Sequence, residues 1–103
     1  MPSSNETLEF IMEKIADAGD VSFRKMMGEY VIYLDAKVVG GIYDNRFLVK
    51  KTPSAINLLK DFEEEIPYPG AKKMSSLSDL VFNADSHDIA LIVKILKAIR
   101  SDL

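Results

Sequence analysis

Few side chains in this sequence are of the types that carry out catalysis or bind metals. The chain has one histidine, His87, and no cysteine, so a Cys/His metal set and a Cys–His nucleophile pair are both excluded. It has no G-x-S-x-G elbow, Walker A motif or G-x-G-x-x-G fingerprint either. A lone histidine in the first turn of a predicted helix is more typical of a surface or capping residue than of a catalytic base. The sequence therefore predicts no cofactor, no metal and no metal-dependent, nucleotide-dependent or catalytic-triad enzyme.

The residues best suited to recognition are charged and aromatic side chains around the first predicted strands, with one tyrosine in a later loop. They are Arg24, Lys25, Glu29, Tyr30, Tyr33 and Tyr68. Basic residues beside aromatic ones can bind a protein or a nucleic acid. The alternative, which we favour, is structural: Arg24 pairs with Glu29 or with a helix carboxylate, and the tyrosine rings pack on a sheet.

Length and charge narrow the possible partners. The 103 residues fit a single domain over 1–103, long enough to bury one core. A net charge of −3 and a pI of about 5.1 make nucleic acid an unlikely main ligand. No apolar run approaches the ~18 residues of a membrane span, and the N-terminal residues show no secretory signal. We therefore expect no membrane association and a cytoplasmic location.

A helix and a β-meander are predicted for the first half of the chain. Apolar residues at helical spacing favour a helix over 6–18, with its inward face formed by Leu8, Ile11, Met12 and Ile15. A Ser3/Glu6 capping box would begin it. Three strands follow, over 30–34, 37–43 and 46–50, joined by tight turns at Asp35-Ala36 and Asp44-Asn45. Residues 22–27 form either a lead-in strand or an extension of the first one.

Helices and short strands are predicted for the second half. Thr52 at N-cap and Pro53 at N1 predict a helix that runs to about Glu64, with Ile56, Leu59 and Phe62 inward. Two short strands are expected over 72–75 and 79–82. A final helix over 87–101, capped by Asp85 or Ser86, is apolar over an arc too wide for one buried face. It therefore lies deep in the core or forms a subunit interface. This arc, together with any unpaired edge of the sheet, is the basis on which we expect a homodimer.

A glycine pair, Gly40-Gly41, interrupts the second predicted strand. Glycine inside a strand gives up side-chain packing and needs a reason. A β-bulge, or a helix packed closely against the sheet, is the interpretation we favour, and close approach of a ligand is the alternative.

Several short motifs, in this order and spacing, resemble the TfoX/Sxy N-terminal domain family over roughly residues 7–100. The motifs are Arg24-Lys25-Met26-Met27-Gly28-Glu29-Tyr30, Tyr33-Leu34-Asp35, Gly41-Ile42-Tyr43-Asp44, Leu48-Val49-Lys50, Tyr68-Pro69-Gly70 and Lys73-Met74. The resemblance implies an α+β fold with two layers, ordered α-β-β-β-α-β-β-α and similar to secretion chaperones. That order agrees with the elements predicted above, including an antiparallel sheet with a three-strand meander.

The resemblance also implies a role. Named members of the family regulate bacterial competence genes, apparently by assisting a CRP-type transcription factor, and full-length regulators carry a second, helical domain that these 103 residues lack. We therefore expect a single-domain member acting as a non-enzymatic regulatory module that binds a protein. Direct nucleic-acid binding through Arg24, Lys25 and Lys72-Lys73, or binding of a small ligand near Tyr68-Pro69-Gly70, are the alternatives.

Two residues depart from the family's usual pattern. Met27 stands where an aromatic residue is common, which predicts softer packing. Ala36 stands in a turn where glycine is usual, and a positive φ there would cost roughly 1 kcal/mol relative to glycine.

Overall fold

A computed structural model describes residues 2–103 as one six-stranded sheet with helices on one face. The helices are α1 (Asn5–Ile15), which continues as a 3₁₀ turn over Ala16–Ala18, α2 (Ile56–Leu59), α3 (Ser78–Phe82) and α4 (Ser86–Ser101). The strands are β1 (Val21–Met26), β2 (Glu29–Leu34), β3 (Lys37–Tyr43), β4 (Arg46–Val49), β5 (Glu64–Glu65) and β6 (Met74–Ser76). The α+β class is confirmed, and the element order gains one strand and one short helix over the predicted one.

The sheet is antiparallel in the order β1-β2-β3-β4-β6-β5. Its first four strands form a continuous meander, because two-residue connections can join only antiparallel neighbours. The three predicted strands are β2, β3 and β4, and the residues before them form the separate strand β1. β1 pairs only with β2, so it is an edge of the sheet.

The three hairpin turns of the meander share one geometry. Both central residues of each turn have positive φ, as a type I′ turn requires. These residues are Met27-Gly28, Asp35-Ala36 and Asp44-Asn45. Met27, at φ 53°, is 97% exposed, so the softer packing predicted for it does not occur.

Replacing Ala36 by glycine should stabilise the protein. Ala36 has φ 68°, a conformation that glycine adopts without a Cβ penalty. We expect Ala36→Gly to raise the free energy of unfolding by about 0.5–1 kcal/mol, since relief of the strain exceeds the added entropy of the unfolded chain. Thermal unfolding followed by circular dichroism measures the effect. An unchanged or lower midpoint would show that the turn is not strained.

The N-terminal cap of α1 differs from the predicted capping box. Ser4, not Ser3, is the N-cap, and its Oγ accepts from the Thr7 backbone N–H at 3.1 Å. Ser3 is buried and uses its hydroxyl elsewhere, as described below. The predicted inward face of the helix is confirmed, with Leu8, Ile11 and Ile15 buried.

The second helix is much shorter than predicted. α2 begins after Ala55, without a side-chain cap, so Thr52 is not its N-cap. The backbone N–H and Oγ of Ser54 instead donate to the Asp102 carboxylate at 2.7 and 2.6 Å. These hydrogen bonds, the side-chain one first, hold the pKa of Asp102 below its usual value. A tertiary contact with the end of α4 thus replaces a helix start.

Pairing with a distant strand ends α2 early. Glu64 pairs with Ser75, which places the last predicted helical residues in β5. Leu59 is buried and Phe62 packs against the core as predicted, but Ile56 is 46% exposed. The helix propensity of these residues favours a longer helix, but the hydrogen bonds between β5 and β6 outweigh it.

Residues 79–82 form a helix, not the predicted strand. Leu77, the N-cap residue of α3, and Val81 are buried one helical turn apart. The sequence did not show this spacing, because the short apolar run Leu80-Val81-Phe82 fits a strand as well as a helix. The Oγ of Ser78 accepts from the Phe47 backbone N–H at 3.0 Å and fixes α3 to β4. The other predicted strand, over 72–75, is present as β6.

The wide apolar arc of α4 is explained by burial within the chain. Asp85 caps the helix with a full capping box that includes Asp88. Ile92, Ile95, Leu96 and Ile99 are buried in the core, where α4 contacts α1, α3 and β3. The core therefore lies between the helices and one face of the sheet.

The glycine pair lies at the predicted bulge. The register between β2 and β3 shifts from Ile32–Gly40 to Tyr33–Val38, so β3 carries one extra residue, Val39. A Cβ at Gly41 would lie 2.7 Å from the Tyr30 carbonyl oxygen. The close approach is made by neighbouring strands and, at Gly41, also by the Tyr43 ring of β3 itself, and not by a helix.

Candidate functional site

The face of the sheet opposite the helices carries an open groove. Side chains alternate along a strand, so those of Val31, Val38 and Tyr43 point away from the core that Ile32 and Ile42 enter, and Gly41 lies opposite Val31 in the register. Two adjoining cavities of about 650 and 640 Å³ lie over this face and share Val38, Tyr43, Pro67 and Tyr68. Both are open to solvent, so together they form one groove, which we call the sheet groove.

One half of the sheet groove is apolar. Its lining consists of Met26, Met27, Glu29, Val31, Val38, Tyr43, Pro67 and Tyr68. Glu29 is the single charged residue among these eight. Met26 is 51% exposed and Tyr68 59% exposed. Covering apolar surface of this kind lowers the free energy, so a ligand that buried these side chains would gain affinity.

The other half of the sheet groove is basic. Four lysines line it, Lys50, Lys51, Lys72 and Lys73, and its lining contains no aspartate or glutamate. Lys51 forms a salt bridge with Glu64 at the sheet edge. Within residues 2–103, no salt bridge involves the other three lysines.

The wall of the sheet groove is the loop that carries Pro67 and Tyr68, and one arginine holds it. Arg46 Nη1 donates to Glu65 Oε1 at 2.9 Å and to the Ile66 carbonyl at 3.3 Å, and Nη2 donates to the Pro67 carbonyl at 3.3 Å. Its Nε donates to the Tyr43 carbonyl at 3.1 Å. Sequence reasoning missed Arg46, because its partners lie about 20 residues away and no local motif marks it.

Two tyrosines meet where the halves of the groove join. The ring centroids of Tyr43 and Tyr68 are 6.1 Å apart at 57°. Burial first, and then the neighbouring Tyr68 and Glu29, raise the pKa of Tyr43. The Tyr43 hydroxyl is therefore a neutral hydrogen-bonding group at any physiological pH.

The structure separates the six predicted recognition residues. Glu29 and Tyr68 line the sheet groove. Arg24 and Lys25 are exposed on the edge strand β1, where alternation places them on opposite faces. Tyr30 is buried in the core against Phe23, and Tyr33 is half-buried beyond the groove lining. The predicted packing of Tyr30 on the sheet is therefore present.

Glu29 pairs with backbone and hydroxyl donors, so the predicted ion pair with Arg24 is absent among the described residues. Its Oε1 accepts from the Ser3 N–H at 2.8 Å and from Ser3 Oγ at 2.7 Å, and its Oε2 accepts from the Asp44 N–H at 2.9 Å. The Asn45 N–H donates to Ser3 Oγ at 2.9 Å. Glu29 thus ties the segment before α1 to the turn between β3 and β4.

Removing this carboxylate should destabilise the fold. We expect Glu29→Ala to cost about 2 kcal/mol, because three donors lose a charged acceptor. Urea unfolding measures the loss. Glu9→Ala, on the exposed side of α1, is the matched control and should change stability by less than about 0.5 kcal/mol. Equal effects of the two substitutions would rule out the structural role of Glu29.

Within residues 2–103, no group of three His, Asp or Glu side chains is placed to hold a metal ion. The helices in that range are also too short or too polar to cross a membrane.

Comparison with known proteins gives the family. A family model described as the TfoX N-terminal domain matches residues 13–87. The chain belongs to the TfoX N-terminal domain family. The predicted resemblance is therefore confirmed, and the matched range includes the whole sheet and every residue of the sheet groove.

A relative of this TfoX-family chain is an uncharacterised 12.7 kDa protein in the trpE 5′ region of Spirochaeta aurantia. The two are 37% identical over 75 residues, which is 73% of this chain and 65% of the relative. The chain thus spans less than two thirds of that relative's length.

Proposed function

We propose that this chain is a non-enzymatic regulatory domain that binds a protein partner through the sheet groove. It acts in the cytoplasm, where it takes part in the control of transcription. The transcriptional part rests on the named members of its family. The binding part rests on the groove itself, and above all on Met27.

Met27 carries the proposal because it combines an unfavourable backbone conformation with an exposed apolar side chain. It holds φ 53°, which costs a side chain roughly 1–2 kcal/mol, and its apolar side chain is 97% exposed at the mouth of the groove. The Met27-Gly28 turn would be more stable as Asn-Gly, the preferred type I′ sequence. A residue that costs stability and contacts little within the domain is expected where a partner covers it.

The test uses one substitution that separates stability from binding. We expect Met27→Asn to raise the midpoint of thermal unfolding and to weaken binding of the partner, since it relieves the turn and removes an apolar contact. Ala36→Gly is the matched control, because it relieves an equivalent turn outside the groove lining. It should raise the midpoint and leave binding unchanged.

The partner is first identified by photo-crosslinking from a benzophenone amino acid at position 68, and is then purified. Titration calorimetry with the pure partner compares the parent chain with both variants. Equal affinity of all three would overturn the proposal, because the groove mouth would then contribute nothing to binding.

Homodimerisation is proposed on a narrower basis than the sequence suggested, since the α4 arc is used inside the chain. The exposed edge strand β1 offers its backbone N–H and C=O groups to a second copy. Adjacent Arg24 and Lys25 make this pairing weaker at low salt, because antiparallel pairing near the middle of β1 brings four positive charges together. Sedimentation at micromolar concentration would decide, and a monomeric mass would contradict a dimer.

A further inference from the structure

We infer that the sheet groove binds an extended peptide segment of its partner in which a cluster of apolar residues adjoins a cluster of acidic ones. This inference rests on the proposed function and names the chemistry of the partner. Two features of the described residues support it: the two unlike halves of the groove and the distribution of charge over the domain.

The two halves set the order of chemistry along the ligand. Met26, Met27, Val31 and Val38 line one half, and Lys50, Lys72 and Lys73 line the other, with Tyr43 and Tyr68 between them. Side chains that match both halves are apolar at one end and carboxylate at the other. Carboxylates of the ligand are attracted to lysines that form no salt bridge among the described residues, and this attraction steers the encounter of the two molecules.

The distribution of charge over the domain directs an acidic ligand to the basic half of the groove. Residues 5–20 and 78–103, which hold α1, α3 and α4, carry nine acidic and four basic residues, whereas residues 21–76, which hold the sheet, its loops and α2, carry seven acidic and nine basic ones. An acidic segment is therefore repelled by α1, α3 and α4 and attracted to the lysines that line the basic half of the groove. This asymmetry orients the partner before contact.

The same features favour a peptide over a nucleic acid. A polyanion would have to lay part of its phosphate backbone over the apolar half, which supplies no cation. A protein that binds chiefly through phosphates also depends on a net basic domain, and this chain has a net charge of −3. A peptide with one acidic cluster avoids both penalties.

The test is fluorescence anisotropy with a defined probe. The domain measures 30 × 28 × 26 Å, and eight extended residues span about 27 Å, so the labelled peptide has eight residues. Three leucine or phenylalanine residues, one glycine and four aspartate or glutamate residues make up the sequence, in both block orders. Control probes replace the acidic residues by lysine, or the apolar residues by serine, and a single-stranded oligonucleotide is a further competitor.

We expect at least one block order to bind, and each control peptide to bind at least about tenfold more weakly. The double variant Lys72→Glu/Lys73→Glu should weaken binding by about tenfold, since two favourable charge contacts become repulsive. Its matched control, Lys94→Glu/Lys97→Glu, reverses two exposed lysines of α4 and should leave binding unchanged. Tyr68→Ser should weaken binding without lowering the unfolding midpoint.

Three results would overturn the inference. They are equal binding of the lysine control peptide, equal sensitivity to the two charge-reversal pairs, and stronger binding of the oligonucleotide than of either acidic peptide. If the purified partner still loses affinity on Met27→Asn while no acidic peptide binds, the proposed function stands and this inference fails. If the acidic peptides bind and Met27→Asn leaves the partner's affinity unchanged, the partner binds elsewhere and the proposed function fails.

Discussion

Gly40→Ala should unfold or nearly unfold this protein. A Cβ at Gly40 would collide with the Leu48 carbonyl oxygen and lie 2.9 Å from the Val49 Cα. These are backbone atoms of β4, the strand that pairs with β3 at this point, so no side-chain rotation relieves the clash. We expect a loss of about 3 kcal/mol or more. For a domain of this size that lowers the unfolding midpoint by roughly 12 °C or more.

Gly70→Ala is an informative control for this substitution. Gly70 has φ 88°, which an alanine adopts only with strain, but no atom lies within 4 Å of its added Cβ. We expect it to cost about 1 kcal/mol. Gly40 should therefore be the more sensitive glycine although its φ lies outside the left-handed region. A larger loss at Gly70 than at Gly40 would show that the strands can move apart at the bulge.

Arg46→Ala should affect both the stability of the fold and the shape of the sheet groove. The guanidinium joins β4 to the loop wall through two carbonyl oxygens and Glu65, and to the end of β3 through the Tyr43 carbonyl. We expect a loss of about 2 kcal/mol, since carbonyl groups lose a charged donor. Backbone hydrogen exchange should accelerate at Ala71, whose N–H donates to the Tyr68 carbonyl at 3.1 Å, because the wall loses its attachment.

Arg46→Lys tests whether charge alone suffices. A single ammonium group cannot reach all the acceptors of a planar guanidinium. We therefore expect Arg46→Lys to lose most of the stability that Arg46→Ala loses. Glu65→Gln removes only the ion pair, whose partners are about 30% exposed, and should cost less than about 1 kcal/mol. If Glu65→Gln were as damaging as Arg46→Ala, the ion pair would be what holds the wall in place.

Local patterns determined the elements with strong periodicity. α1, α4 and the β2–β4 meander follow from apolar spacing and from turn residues, as does the capping of α4 by Asp85. The family motifs lie in the same segments. Short segments with weak patterns were mispredicted: α2 gives way to β5, and residues 79–82 form a helix, because distant partners such as Asp102 and Phe47 decide them.

The candidate site depended on tertiary structure in almost every part. Of the six predicted recognition residues, Glu29 and Tyr68 line the sheet groove, and Glu29 is engaged by Ser3 and Asp44. Met26, Met27, Lys50 and Arg46 acquire their roles only when the chain folds. No pattern among the neighbouring residues in the sequence predicts those roles.

The sequence by itself determined the family, the α+β class and the lack of catalytic motifs, because those depend on residue types and on periodicities within about ten residues. Only the tertiary structure decided which face of the sheet is open and which side chains border it. Strand pairing sets the face that each residue points to, and the loop over that face is held by Arg46, about 20 residues away in sequence. Contacts of that range leave no local pattern to read.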